Sequence, residues 1–159
     1  MEAASPAPSI VASFASQSLP FSPFGTLWIP SSARVVALGC SHNGNRPAAG
    51  ALQIYKLEMQ EGKDEEGQLR LVCDVKEKAG QLARAGLKCG TELLCGQQPR
   101  QLVLGDFEGT VSVWDIERMV ALSTIQSHEE IVNSIDATTN LILSGTPSQL
   151  YADSECHYI

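Results

Sequence analysis

The sequence is poor in basic residues and has no long apolar run. Eleven Lys and Arg stand against 18 Asp and Glu, which gives a net charge of −7 over 159 residues. Binding to nucleic acid or to an anionic membrane requires basic groups that face the phosphates. The charge balance therefore argues against both kinds of partner. No apolar run approaches the ~20 residues of a membrane span.

The N-terminal stretch MEAASPAPSIVASFASQSLP has no feature of the common targeting signals. No Lys or Arg precedes Arg34, whereas a secretory signal begins with positive charge and an amphipathic transit peptide contains Arg. We predict that residues 1–8 are disordered and that the chain is cytoplasmic. A plastid-type transit segment is the alternative.

Cysteines are few, and no motif of a catalytic site is present. The five cysteines are odd in number and form no C-x-x-C, as is typical of reduced thiols in a cytosolic protein. We interpret the closest pair, Cys89 and Cys95, as small residues inside strands. There is no G-x-S-x-G, no H-E-x-x-H and no phosphate-binding Gly loop. We therefore predict no enzymatic activity, no cofactor and no metal site.

An internal repeat is the strongest pattern in the chain. GALQIYKLE (Gly50–Glu58) aligns with GTVSVWDIE (Gly109–Glu117), with Tyr55 at the position of Trp114. Glycine matches glycine at the start of each copy, and apolar residues match between. This order of short apolar runs bounded by glycine predicts paired strands.

A second piece of the repeat precedes each copy and also occurs a third time. VVALGC (Val35–Cys40) resembles QLVLGD (Gln101–Asp106) and LILSGT (Leu141–Thr146). Gly105 and Gly145 are 40 residues apart, close to the ~40–45 residues of a four-stranded propeller blade. The short DFEG between the two pieces predicts a tight hairpin, because Gly109 can take a positive φ.

These patterns predict an all-β fold, a partial β-propeller of about two and a half four-stranded antiparallel blades. We place the propeller at 9–146, with RLVCDV and MVALSTIQ as the outer strands of the first two blades. PSQLYADSECHYI is expected to form a divergent tail without a hairpin turn. The predicted bounds are 24–75 for blade 1, 82–126 for blade 2, 130–146 for an incomplete blade 3 and 147–159 for the tail.

The motifs resemble a known family. VSVWD and the SHEEIVNSID that follows it resemble a WD repeat, with Ser-His where Gly-His is usual. Over roughly residues 8–137 the sequence also resembles the N-terminal part of the Monad family, WD-repeat protein 92. The segments that carry this resemblance are PSIVASF, LWIPSSARVVALG, LKCGTELL, LVLGDFEGTVSVWDIE and SHEEIVNSIDA.

The resemblance implies a seven-bladed propeller that acts as an adaptor. Such an adaptor works with a co-chaperone assembly that contains a TPR adaptor and AAA+ ATPases. It supports cytoplasmic preassembly of axonemal dynein arms, whose subunits are its clients, and a link to apoptosis has been proposed. The cilium is therefore the expected destination of the assembled product.

The resemblance also implies structural roles for the residues at WD-repeat positions. Glu108 stands where the hairpin turn usually has Asp, so the hydrogen-bond network of the turn is expected to differ. No His precedes the second unit, so a full His–Ser/Thr–Asp–Trp tetrad is not expected around Trp114. We interpret Trp28 and Trp114 as core anchors between blades, and His128 as a hydrogen-bonding residue. The positions are Gly105, Asp106, Glu108, Gly109, Trp114, Asp115, His128, Trp28 and Tyr55.

The acidic run EMQEGKDEEGQ (Glu58–Gln68) allows two interpretations. It is either a solvated loop or a docking loop for a basic partner, since clustered charge of one sign steers encounter. The residues of the docking interpretation are Glu61, Asp64, Glu65 and Glu66.

Compared with the family, the sequence predicts a truncated propeller. Ser9–Phe14 corresponds to the outer strand of the last blade, whose remaining strands are not found. Exposed sheet faces are therefore expected at both ends. The alternative to a scaffold is a truncated splice form or gene-model fragment without independent function, or a competitor of the full-length adaptor that regulates apoptosis.

Overall fold

The computed structural model describes residues 15–29, 32–41, 49–59, 67–75, 85–93, 101–139 and 141–153. Within these ranges the regular elements are eleven β-strands. Their bounds are β1 Ser22–Ile29, β2 Arg34–Ser41, β3 Ala49–Met59, β4 Gly67–Asp74, β5 Leu87–Leu93, β6 Gln101–Asp106, β7 Thr110–Asp115, β8 Val120–Gln126, β9 Ser134–Ala137, β10 Ile142–Gly145 and β11 Leu150–Asp153.

The strands form three antiparallel sheets in chain order. The first contains β1 to β4 and the second β5 to β8, each with sequential neighbours paired. The third contains β9, β10 and β11, with β10 in the middle. We call these sheets blades 1, 2 and 3. The predicted all-β partial propeller is confirmed.

The blades converge on their first strands, as in a propeller. β1 contacts β5, and β5 contacts β9, whereas β4 and β8 lie at the opposite edges of their sheets. Gly25 on β1 allows the close approach, because a Cβ there would lie 2.9 Å from the carbonyl oxygen of Lys88 on β5. A side chain at this position would push the two inner strands apart.

Two apolar cores fill the spaces between the blades. Because side chains alternate between the two faces along a strand, neighbouring residues of one strand belong to different cores. On β6, Leu102 and Leu104 belong to the core between blades 1 and 2, while Val103 belongs to the core between blades 2 and 3. Successive side chains of a strand point to opposite faces. Blade 2 therefore contributes side chains to both cores.

The first core joins blade 1 to blade 2 and is the larger. It contains Ile29, Val36, Leu38, Leu52, Ile54, Cys73 and Val75 with Leu87, Leu102, Leu104, Trp114, Ile116 and Met119. The second joins blade 2 to blade 3 through Leu93, Val103, Val111, Val132 and Ile142. Burial of apolar area at about 25 cal/mol per Å² is the main force that holds the blades together.

The third blade differs from the sequence prediction. A hairpin was not expected after Thr146, and this expectation is wrong: β10 pairs with β11, with Gly145 opposite Leu150. The hydroxyl oxygen of Thr146 accepts hydrogen bonds from the backbone N–H groups of Ser148 (3.3 Å) and Gln149 (2.9 Å). A threonine hydroxyl thus caps the turn, and Pro147 suits the second position of a β-turn.

Candidate functional site

The turn between β6 and β7 is organised by a buried carboxylate. Oδ1 of Asp106 accepts hydrogen bonds from the backbone N–H groups of Glu108 (2.9 Å) and Thr110 (2.8 Å). Gly109 has a φ of 87°, a conformation that side chains disfavour. The hydrogen bonds of the turn are therefore centred on Asp106. The side chain of Glu108 is exposed, and its backbone completes the turn.

The connection from blade 2 to blade 3 packs directly on this turn. The backbone N–H of His128 donates to the carbonyl oxygen of Gly109 at 3.1 Å. The side-chain amide of Gln126 donates to the carbonyl oxygens of Glu108 (2.7 Å) and His128 (2.8 Å). The turn of one blade and the entry to the next therefore form one hydrogen-bonded unit.

His128 connects this unit to blade 3. Its Nε2 lies 2.8 Å from the hydroxyl oxygen of Ser144 on β10, and both residues are buried. Leu104 and Leu38 occupy the position of Ser144 in the repeats of blades 2 and 1, and both are fully buried in the first core. The His–Ser half of a WD tetrad is thus present for blade 3, while apolar packing replaces it in the other two blades.

Trp114 forms a different hydrogen bond. It is buried in the first core, and its Nε1–H donates to the hydroxyl of Ser112, two residues earlier on the same strand, at 2.9 Å. A buried indole N–H requires such an acceptor. Because Ser112 supplies it locally, no histidine is required at this position.

Blade 1 repeats the same local bond with other residues. The hydroxyl of Tyr55 donates to Oε1 of Gln53 at 2.6 Å, and Nε2 of Gln53 donates to Oδ2 of Asp74 at 2.6 Å. Gln53 and Tyr55 align with Ser112 and Trp114 in the repeat. Burial and the negative charge of Asp74 both raise the pKa of Tyr55, so its hydroxyl remains a donor.

Three segments together form a continuous surface, which we call the turn rim: residues 106–109, 126–130 and 146–149. A cleft of about 540 Å³ opens on it and is lined by Gln126, Ser127, His128, Glu129, Glu130, Thr146, Ser148 and Gln149. Across the cleft the hydroxyl of Ser148 donates to Oε2 of Glu130 at 2.8 Å.

An aromatic patch adjoins the turn rim where blade 1 meets blade 2. The rings of Phe24 on β1 and Phe107 in the β6–β7 turn are 5.0 Å apart and edge-to-face. Nζ of Lys88 on β5 lies 5.7 Å from the Phe24 ring centroid. The two Phe side chains remain 44% and 38% exposed. Aromatic side chains held in this way are frequent anchors of protein–protein contacts.

The remaining predicted residues lie away from this surface. Trp28 is 49% exposed, so its assignment as a core anchor is wrong: it follows Leu27 on β1, and Leu27 takes the core-facing position. Asp115 caps the β7–β8 turn, where Oδ1 accepts from the N–H groups of Glu117 and Arg118. Gly105 lies against Val132, at the second core.

Some predicted features lie outside the described residues. These are the docking residues Glu61, Asp64, Glu65 and Glu66, the N-terminal segment 1–14, Cys95 and the last residues 154–159. In the part of the chain that the structure describes, no three His, Cys, Asp or Glu side chains are placed to hold a metal ion. The same ranges contain no helix with the length and apolar character that crossing a bilayer needs.

Sequence reasoning missed Phe24, Lys88, Gln126 and Ser144. The alignment of LILSGT with QLVLGD could have identified Ser144, because it is the polar residue at a position that is otherwise Leu. Nothing local could have joined Phe24 to Phe107, since they belong to different blades.

Comparison with known proteins is consistent with this architecture. No protein-family model matches the chain. It is 33% identical over 149 residues to dynein axonemal assembly factor 10 of Danio rerio, covering 92% of this chain and 37% of that protein. The protein of the same name from Chlamydomonas reinhardtii is 37% identical over 110 residues, which cover 69% of this chain and 26% of that protein.

These relatives are the Monad proteins, WD-repeat protein 92, so the resemblance drawn from the motifs is confirmed as similarity. The chain spans between about a quarter and two fifths of their length. The correspondence to their N-terminal part stays a prediction.

A solved structure supports the fold. Sqt1 of Chaetomium thermophilum, a WD-repeat propeller, has a TM-score of 0.52 with 10% identity and covers 85% of this chain and 44% of that one.

Proposed function

We propose that this chain is a non-enzymatic WD-repeat scaffold that binds protein partners during the assembly of axonemal dynein. The observation that carries the proposal is the 33% identity over 149 residues to a protein named dynein axonemal assembly factor 10. The fold alone would not suffice, since one fold hosts many functions.

The turn rim and the aromatic patch support a binding role by their rigidity. Hydrogen bonds hold the turn in place through Asp106, Gly109 and His128. The side chains of Phe107 and Glu108 point from this turn into solvent. A side chain that is ordered before binding loses less entropy on association. Contacts through turns held on a rigid frame are the usual way in which such scaffolds bind.

The finer assignment follows from the family resemblance. We infer that the partners are the TPR adaptor and the AAA+ ATPases of a co-chaperone complex, with dynein arm subunits as clients. Assembly would take place in the cytoplasm, before transport to the cilium. A net charge of −7 favours protein partners over nucleic acid or an anionic membrane.

A pull-down with purified TPR adaptor and AAA+ ATPases tests the proposal. The tagged chain is compared with Phe107→Ala in the aromatic patch and with Met59→Ala, a matched control at the exposed end of β3. We expect wild type and Met59→Ala to retain the partners equally. Phe107→Ala should weaken retention at least about fivefold, the effect of losing roughly 1 kcal/mol at an anchor residue.

Two results would count against this function. If the folded wild-type chain retains none of these partners, the adaptor role is wrong. If Phe107→Ala binds as tightly as Met59→Ala, the contact surface lies elsewhere than the aromatic patch. Circular dichroism of each variant separates loss of binding from loss of folding.

A further inference from the structure

Strand β8 is an open outer edge of blade 2. Among the strands that the structure describes, it pairs only with β7, and all seven of its residues are exposed. Val120, Leu122 and Ile125 are 41–46% exposed, and VALSTIQ contains no charged residue. An exposed strand edge offers unpaired backbone N–H and C=O groups to another strand.

The equivalent edge of blade 1 is protected by charge. β4 carries Arg70, whose Nη2 lies 2.9 Å from a carboxylate oxygen of Glu58 on β3, and Lys56 approaches the same oxygen at 3.4 Å. Charged side chains on an edge strand discourage pairing with another chain. In blade 2, Asp115 at the end of β7 approaches Arg118 of the β7–β8 turn at 3.8 Å, but Thr110–Trp114 and Val120–Gln126 contain no charged residue.

A β-bulge does not explain the difference between the two edges. Both outer strands have an extra residue at matching places, Val72 on β4 and Leu122 on β8, where the pairing with β3 and β7 shifts register. Bulges also protect edges, but blades 1 and 2 share this one. Charge is the protective feature that blade 2 is missing.

We propose that β8 pairs antiparallel with β8 of a second copy of this chain, which joins two blades 2 across a two-fold axis. β8 contains no charged side chain, so no like charges meet when two copies pair along it. In a chain of net charge −7, an uncharged strip is where two copies approach without repulsion. Each copy has one β8, so the two-fold contact is closed and stops at the dimer.

The expected affinity is modest. A contact made by one seven-residue edge belongs to the class of interfaces below about 1,200 Å², which are weak or transient. We therefore expect a dissociation constant on the order of 100 μM. The dimer needs no other partner, so its test is independent of the proposed scaffold function.

Sedimentation velocity of the full chain from about 5 to about 500 μM tests the proposal. The wild type should pass from monomer to dimer and stop there. Ser123→Lys adds a positive charge to the middle of each β8 edge and should weaken dimerisation about fivefold, the effect of losing roughly 1 kcal/mol. Gln68→Lys adds the same charge to an exposed position of β4 and should leave dimerisation unchanged. Thr124→Lys tests the same edge if Ser123→Lys does not fold.

The proposal is overturned by any of three results. The first is a wild-type chain that stays monomeric throughout the concentration range. The second is a dimer that survives both folded lysine variants of β8, or that Gln68→Lys weakens equally. The third is association that continues beyond the dimer, because a single two-fold contact cannot extend.

Discussion

Replacing Gly109 with alanine should loosen blade 3 from blade 2. Gly109 has a φ of 87°, and a Cβ built on it would overlap the carbonyl oxygen of His128 and lie 2.7 Å from that of Glu130. Both obstacles are backbone atoms, so no change of rotamer relieves the overlap. The connection that enters blade 3 has to move away from the β6–β7 turn.

The size of the effect follows from what is lost at this contact. A residue with a side chain costs roughly 1–2 kcal/mol in the left-handed region. Displacement breaks the bond from His128 N–H to the Gly109 carbonyl and the bond from Gln126 to the Glu108 carbonyl, worth about 1 kcal/mol each. The total of about 3 kcal/mol is a large part of the 5–15 kcal/mol that stabilises a typical domain.

Urea unfolding combined with amide hydrogen exchange measures this prediction. The variant should lose about 3 kcal/mol of unfolding free energy, with exchange protection lost first in β9 and β10. Glu108→Ala is the control, because it changes an exposed side chain of the same turn and keeps Gly109. The reasoning is refuted if Gly109→Ala stays within about 0.5 kcal/mol of wild type, or if protection falls equally in blades 1 and 3.

Three further predictions concern the turn cap, the first core and a buried thiol. Asp106→Ala should cost about 1–2 kcal/mol in urea unfolding, because two turn N–H groups lose their acceptor. Leu104→Ala should cost about 2–5 kcal/mol in the same assay through a cavity between blades 1 and 2. Burial raises the pKa of Cys89 to about 11, from an ordinary value of 9.0. Its contribution to stability is therefore complete below pH 9 and declines as the pH rises from 9 to 11, a slope that Cys89→Ala should remove.

Each of these has a result that contradicts it. Asp106→Ala with unchanged stability would mean that water caps the turn equally well. A Leu104→Ala loss below about 1 kcal/mol would mean that the two blades repack around the gap. The Cys89 argument fails if wild type and Cys89→Ala show parallel stability curves between pH 9 and 11.

Local patterns in the chain were sufficient to predict the central hairpins of blades 1 and 2. The alternation in QLVLGD and in TVSVWD, with a glycine turn between, indicates a hairpin because side-chain alternation is a property of the strand itself. The spacing of the copies then indicates blades. These inferences require only neighbours within a few residues of one another.

Inference from the sequence failed for one core position and for one turn. The sequence predicts Trp28 as a core anchor between blades, but the packing of β1 places Leu27 against the core instead. The sequence predicts no hairpin turn after LILSGT, but the hydroxyl of Thr146 accepts the two backbone hydrogen bonds that cap one.

The repeat alone therefore established that this chain forms antiparallel four-stranded units, since hydrophobic alternation and glycine turns act locally. The tertiary structure placed Ser144 of β10 beside His128, which enters blade 3. It also brought Phe24, Phe107 and Lys88 together from two blades. Such contacts depend on distances between strands that are far apart in the chain, and these distances are set by how the blades pack.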